Sequence, residues 1–265
     1  MRQVVWRAIY EVLAARVRRP DWSFMNYGYA PLAPDDASRA PDDALLVLER
    51  RDEADRSCIA LYRHAVAGAE LAGKDVLEVG CGRGGGSSYL SRYLGPRSVT
   101  GLDFSRAAVA LCQATRAAPG LSFVVGDAQA MPFPDGSFDA VINIESSHCY
   151  ASMEEFLSEV SRVLRPGGDF LWADLRDRDK VDAVGRQLEE SGLRLRELRD
   201  ITANVLLALR VDNERKIALM DAWIPRAFHR VFRGFAGLEG TKNFAGFESG
   251  QKRYLSAWLV KDGPG

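Results

Sequence analysis

The chemistry open to this chain is concentrated where an apolar run ends in glycine. Val76, Leu77 and Val79 carry a carboxylate among them, Glu78, and stop at Gly80-Cys81-Gly82-Arg83-Gly84-Gly85-Gly86. The helix-compatible Ser87-Ser88-Tyr89-Leu90 follows. This order predicts a buried parallel strand, a tight turn and a helix whose N-terminus faces a ligand. Glycine is needed there because a side chain would hold a ligand off the backbone, and because such turns visit positive φ. Gly80, Gly82 and Gly85 satisfy G-x-G-x-x-G, a pattern that dinucleotide sites share and that names no ligand alone. Glu78 weighs against a pyrophosphate, whose charge it would repel, and favours a cofactor with a cationic end. Asp103 closes the next apolar run, where a carboxylate can accept hydrogen bonds from both hydroxyls of a ribose. Phe104, beside it, can lie against an adenine.

Glu78-Val79-Gly80-Cys81-Gly82 resembles the first motif of class I S-adenosylmethionine-dependent methyltransferases. Three later stretches resemble further motifs of that family in the family's order: Gly126-Asp127-Ala128, Met131–Asp139 as the P-F-x-D-x-S-F-D signature, and Val163–Gly168 as the L-R-P-G-G turn. The resemblance implies a Rossmann-like methyltransferase fold that uses S-adenosyl-L-methionine and releases S-adenosyl-L-homocysteine. It implies that Asp127 accepts from the adenine amine, that Ala128 adds a backbone contact, and that Gly80, Cys81 and Gly82 form the loop around the cofactor. Asn26-Tyr27-Gly28-Tyr29 looks like the aromatic-Gly-aromatic flap of small-molecule methyltransferases, which places Tyr27 over cofactor and substrate. Within Arg56 to Asp177 the strings Gly84–Leu90, Glu145–Tyr150 and Ala173–Arg176 resemble phthiotriol-type lipid methyltransferases, while the same core also resembles natural-product sugar and macrolide enzymes. The expected reaction is methyl transfer to a hydroxyl of a hydrophobic small molecule.

An alcohol is a poor nucleophile, and a positioned base is worth roughly 10²–10⁴ in rate. The chain has three histidines, and only His148 follows a strand on the cofactor edge; His64 sits in a helix before the sheet and His229 in the expected cap. His148 is therefore the expected general base. By the resemblance to sugar O-methyltransferases, Asp174 is its partner, fixing the tautomer and stabilising the imidazolium. Glu145 is read as a cofactor-side or loop-ordering carboxylate. The competing role for His148 is a loop-bonding or orienting one, which an amine acceptor would permit.

The elements that must position these groups alternate. Strands are expected at Val76–Val79, Val99–Asp103, Leu121–Gly126, Ala140–Ile144, Phe170–Asp174, Leu193–Ile201 and Tyr254–Lys261. Helices are expected at Ala107–Ala117, Met153–Leu164 and Val181–Ser191, with one or two more within Leu45–Leu71. Such alternation means an α/β, doubly wound, seven-stranded and mostly parallel sheet with ligands at the carboxyl ends of its strands. We divide the chain into an N-terminal helix and flap (1–45), a cofactor-binding core (46–201), a helical cap (202–250) and a final core strand (251–265). Trp223, Phe228, Phe232 and Phe235 of the cap either line a greasy pocket or pack on the sheet. Arg2–Arg19 reads as a helix that packs on the domain or on a second subunit, with an interfacial anchor as the alternative.

At 265 residues with Lys+Arg 35 against Asp+Glu 36, the chain fits one core and has no global basic field for nucleic acid. Its four cysteines show no disulfide or zinc spacing, and no metal is expected. No spanning helix or signal peptide is evident, so a cytoplasmic enzyme is expected, with a homodimer left open. The alternatives are N-methylation, a nicotinamide-dependent dehydrogenase on the same glycines, a scaffold that binds cofactor without turnover, and a nucleic-acid methyltransferase. The last is disfavoured by the charge balance.

Overall fold

A computed structural model describes residues 19, 22–32 and 47–263. The helix expected over Arg2–Arg19, apart from its last residue, and most of the linker after Pro31 lie outside the described residues.

Seven strands form one sheet in the order β3-β2-β1-β4-β5-β7-β6. They are β1 (Asp75–Val79), β2 (Ser98–Asp103), β3 (Leu121–Val125), β4 (Phe138–Ile144), β5 (Leu164–Asp177), β6 (Arg194–Asp200) and β7 (Lys252–Val260). The pairs β1–β2, β2–β3, β1–β4 and β4–β5 are parallel, and β7 runs antiparallel to both β5 and β6. The order reverses between β1 and β4, which opens a crevice at their carboxyl ends.

Strand side chains alternate between two cores. Val76, Ala140, Ile142, Leu171 and Ala173 join one core, packed by α1 (Arg56–Val66), α2 (Gly85–Tyr93), α6 (Thr202–Val211) and α9 (Lys242–Glu248). Leu77, Val79, Val141, Phe170 and Trp172 join the other, packed by α4 (Met153–Val163) and α5 (Val181–Glu189). At the β3 end, α3 (Arg106–Thr115) closes a small cluster of Cys81, Val109, Cys112 and Phe123. Helix starts follow the side chains that can cap them: Ser105 Oγ accepts the Ala108 N–H (3.1 Å) and Ser152 Oγ the Glu155 N–H (3.1 Å).

The cap lies between β6 and β7 and consists of α6, α7 (Asn213–Trp223), α8 (His229–Phe235) and α9. Helix α9 falls within the expected cap, and the Thr241 side chain caps it by accepting the Phe244 N–H. Over residues 47–55 the described chain makes only a short turn, Glu53–Asp55, and helix begins at Arg56 within the stretch expected from Leu45 to Leu71. The β5 strand is longer than expected. Its pairing jumps from Phe138↔Leu164 to Ala140↔Asp169, so Pro166-Gly167-Gly168 bulges out of one continuous strand. Gly167 takes φ +80° there, and Arg165 pins the bulge by pairing with Asp139 (2.7 Å) and Asp75 (3.1 Å).

Candidate active site

The loop after β1 is held by the end of β2. Gly80 N–H and Cys81 N–H both donate to the Leu102 carbonyl (2.8 and 3.0 Å). Gly82 N–H donates to Asp103 Oδ2 and Ser105 N–H to Oδ1, each at 2.9 Å. Asp103 thus clamps two loops while sitting at the strand end where a ribose is expected. Gly80 has φ +76°, and a Cβ there would overlap Ser146 Oγ, so only glycine lets the loops after β1 and β4 meet. Cys81 is buried against α3, and Phe104 is half-buried beside Asp103. Asp127 is exposed at the end of β3, where its Oδ1 accepts the Gln129 N–H (3.0 Å) in a local turn; Ala128 is buried.

Glu78 is 1 % exposed. Tyr62 and Ser87 donate their hydroxyls to its two oxygens. Burial pushes its carboxyl up to about 7, against the pull of these two hydrogen bonds. Both oxygens are therefore engaged beneath the start of α2, where a negative charge meets the positive end of the helix. The interaction expected with a cofactor's cationic end is not what fixes this side chain.

Glu145, just past β4, is the one non-glycine residue with positive φ (+51°) among those described. Such a conformation persists where surrounding bonds determine it. Here Glu145 N–H donates to the Ala173 carbonyl (2.8 Å), and its Oε2 accepts both Tyr27 N–H and Tyr254 hydroxyl (2.9 Å each). Burial raises its carboxyl to about 7. Glu145 thereby ties the flap to β7.

The flap's deep anchors are Tyr27 (5 % exposed) and Tyr29 (7 %). Trp22 and Phe24 are only half-buried. Gly28, at φ +88°, allows the two tyrosines to turn inward together. Arg83 from the glycine loop donates to the Trp22 carbonyl (2.6 Å) and lies over the Trp22 ring (4.6 Å).

His148 and Asp174 meet across the ends of β4 and β5. His148 Nδ1 is 2.7 Å from Asp174 Oδ1, and His148 N–H donates to Oδ2 (2.8 Å). The Asp174 side chain is fully buried, whereas that of His148 is 34 % exposed. Asp174 also accepts the Ser147 hydroxyl (2.6 Å) and pairs with Arg176 (2.9 Å). Burial opposes charge on both partners, but their mutual attraction wins. The imidazole is held well above its usual pKa and the carboxyl well below.

Sequence reasoning gave Arg176, Ser147, Trp172 and Tyr254 no role. Trp172, Asp174 and Arg176 alternate along β5, and that period of two places them on one face. Trp172 Nε1 and an Arg176 nitrogen both donate to Ser147 Oγ (2.9 and 2.8 Å), and the guanidinium lies over the indole (5.2 Å). The other histidines have structural roles. His64 stacks on Tyr29 at 4.4 Å, and His229 Nε2 lies 2.7 Å from the Ile224 carbonyl.

A narrow, largely apolar groove with about 90 Å³ of free space opens between flap and cap. Trp22, Phe24, Trp223, Phe232 and Phe235 line it, with Asp55 and Arg215 at its wall. Phe228 is not in the lining as expected: it is 57 % exposed, on a short turn after Pro225 that faces outward. His148, Asp174 and Glu145 do not line the groove. The flap stands between, since Trp22, Phe24, Met25 and Asn26 border the groove while the next residue, Tyr27, is bonded to Glu145.

These residues suit a ligand bearing hydroxyls and an ammonium. Asp103 offers carboxylate oxygens at the crevice, and Asn143 Oδ1, on β4 beside the end of β1, is a buried acceptor without a partner among the described residues. Residues 77–172 match the family described as a methyltransferase domain. The chain is 40 % identical over 258 residues to a phthiotriol/phenolphthiotriol dimycocerosates methyltransferase of Mycobacterium tuberculosis, covering 97 % of this chain and 92 % of the other. It is 39 % identical over 223 residues to a fatty-acid O-methyltransferase of Mycolicibacterium smegmatis, covering 84 % and 78 %. Among solved structures, a putative sarcosine dimethylglycine methyltransferase from Galdieria sulphuraria shares the fold, with a TM-score of 0.69 at 14 % identity over 94 % of this chain and 98 % of that one. The nicotinamide alternative falls with these matches. The chain belongs to the S-adenosylmethionine-dependent methyltransferases, and S-adenosylmethionine is its methyl donor.

Proposed function

We propose that the protein methylates an oxygen of a lipidic acceptor, with a hydroxyl as the first reading and His148 as the base that takes its proton. The single observation that carries this is the 2.7 Å contact between the accessible His148 and the buried Asp174. Asp174 fixes Nδ1 and stabilises the imidazolium, leaving the other ring nitrogen to act. The bound cofactor supplies an electrophilic methyl group, and the chain's residues supply alignment and the base. Asp103 and the backbone around Gly80 and Gly82 would hold the adenosyl part, with Asp127 and Phe104 near the adenine. Tyr27 covers the site through its bond to Glu145. The apolar groove beside the flap suits an acyl or polyketide chain, and lifting the flap would join groove and catalytic pair.

A second reading has a specific observation behind it. The buried Asp174 carboxylate, 2.7 Å from Nδ1, raises the His148 pKa and so favours the imidazolium. A carboxylate acceptor has no proton to give up, and the imidazolium would serve as its counter-charge. The 39 % identity to a fatty-acid O-methyltransferase supports this variant.

One experiment separates the readings: pH–rate profiles with a long-chain alcohol and a long-chain fatty acid. Under the first reading alcohol methylation rises with pH as His148 loses its proton, and His148→Gln abolishes that limb. Under the second, fatty-acid methylation is highest at lower pH and falls as His148 neutralises. An amine methylated faster than either, with His148→Gln fully active, overturns both.

A further inference from the structure

From Ala222 to Leu238 the cap contains no acidic residue, while Arg226, Arg230 and Arg233 supply three positive charges. Arg226 and Arg230 are exposed, and none of the three arginines pairs with a carboxylate among the described residues. Between them Phe228 is 57 % and Val231 44 % exposed. Two large apolar side chains exposed within one short basic segment are the kind of patch that marks a contact surface, and nothing in the catalytic pair explains them. The same segment is two-sided: Phe232 and Phe235 line the groove behind it, while Phe228, Arg230 and Val231 face out. Asp221 and Glu239 bound the patch in sequence, with Asp221 turned to His229 (3.5 Å).

We propose that this outer edge of the cap, Arg226 to Arg233, docks on an anionic phospholipid surface. Phe228 and Val231 enter the headgroup–acyl boundary, and the arginines meet lipid phosphates with their stems along the apolar layer. Anionic lipid attracts juxtamembrane arginines, whereas a second copy of this chain would bring like charges face to face. Docking would bring the cap, and the groove behind it, close to the membrane that holds a lipidic acceptor. The surface rests on the acceptor reading above only for this purpose; binding itself requires no turnover.

The test is sedimentation of the full chain with vesicles of phosphatidylcholine alone, or with roughly a third phosphatidylglycerol, the anionic component. The expected result is binding to the anionic vesicles alone, weakened by salt. Arg226→Gln with Arg230→Gln should lower vesicle affinity about 30-fold. Phe228→Ser with Val231→Ser should lower it at least ~10-fold. Both variants should keep wild-type melting and S-adenosylhomocysteine affinity. Equal binding to both vesicle types overturns the proposal, as do variants that sediment like the unsubstituted chain, which would put the contact elsewhere, for instance on residues 1–18. A dimer in solution that Phe228→Ser dissociates also overturns it, by assigning the face to a second copy. A chain that binds vesicles through this face yet methylates neither alcohol nor acid overturns the acceptor reading and leaves the docking surface standing.

Discussion

His148 Nδ1 lies 2.7 Å from Asp174 Oδ1, and the other oxygen of the same buried carboxylate accepts His148's own backbone N–H at 2.8 Å. The carboxylate therefore fixes both the ring and the turn that carries it. His148→Gln should leave the Asp174–Arg176 pair intact and cost turnover on an alcohol roughly 10²–10⁴-fold. The raised pKa of His148 has a stability signature as well. A group raised in the folded state stabilises fully below its unfolded value, near 6.5, and loses that contribution as pH rises through the folded value. Denaturant unfolding of wild type and His148→Gln should thus differ most at pH 6 and converge at alkaline pH.

Asp174→Asn should behave differently, because Arg176 is 9 % exposed and would be left beside a neutral amide. Removing one partner of a buried pair costs about 3–5 kcal/mol. Chemical denaturation should show that loss, and His148 should titrate closer to its ordinary range by NMR. A variant as stable as wild type would mean that Arg176 finds its compensation elsewhere.

Glu78 reports on the core beneath the glycine loop. Its carboxyl, raised from 4.5 to about 7 by burial, contributes stability that is complete below pH 4.5 and is lost as pH rises through 7. Glu78→Gln removes that titration while Tyr62 and Ser87 can still bond the amide. The variant should gain on wild type between pH 5 and pH 8, by at most about 3 kcal/mol. A difference independent of pH would mean that Glu78 is ionised throughout.

Much of this was legible in the sequence, for physical reasons that particular residues show. Buried parallel strands read as apolar runs, so β1, β2 and β4 were placed within two residues. Glycines at Gly80 and Gly82, and Asp103 at a strand end, are local signals and stand where they were read. The length of β5 was not legible, because Pro166-Gly167-Gly168 is a turn by local chemistry and becomes a bulge only when Arg165 finds Asp75 and Asp139. The same holds for the flap. Which aromatics it buries depends on Glu145, 118 residues away, and Tyr254, beyond any local pattern. Arg176 could have been found from its period-two spacing with Asp174, but its contact with Ser147 needed the fold.

Glu145 is the flap's latch. Glu145→Ala removes an acceptor shared by Tyr27 N–H and Tyr254 hydroxyl, and hydrogen bonds to a charged group are worth about 1.5–3 kcal/mol. Local opening should become easier by roughly tenfold or more, seen as faster proteolysis within 22–32 while the rest of the chain stays protected. Tyr254→Phe, which removes one of the two bonds, should give a smaller increase.

Asp103 tests the cofactor assignment, and the structure changes what its removal should do. Asp103→Ala should weaken S-adenosylhomocysteine binding roughly 10- to 100-fold if the carboxylate accepts from a ribose, as hydrogen bonds to charged groups do. The same substitution also strands Gly82 N–H and Ser105 N–H, two buried donors, at about 1–3 kcal/mol each. A loss of affinity alone is therefore ambiguous, since a loosened loop would bind any ligand less well. Asp103→Asn resolves this, because one amide oxygen can still hold a loop N–H. If the ribose contact matters, Asn should recover much of the melting temperature lost by Ala while calorimetric affinity stays low. Recovery of both together would make Asp103 a loop clamp only, and undiminished affinity in Ala would place the ribose contact on another residue.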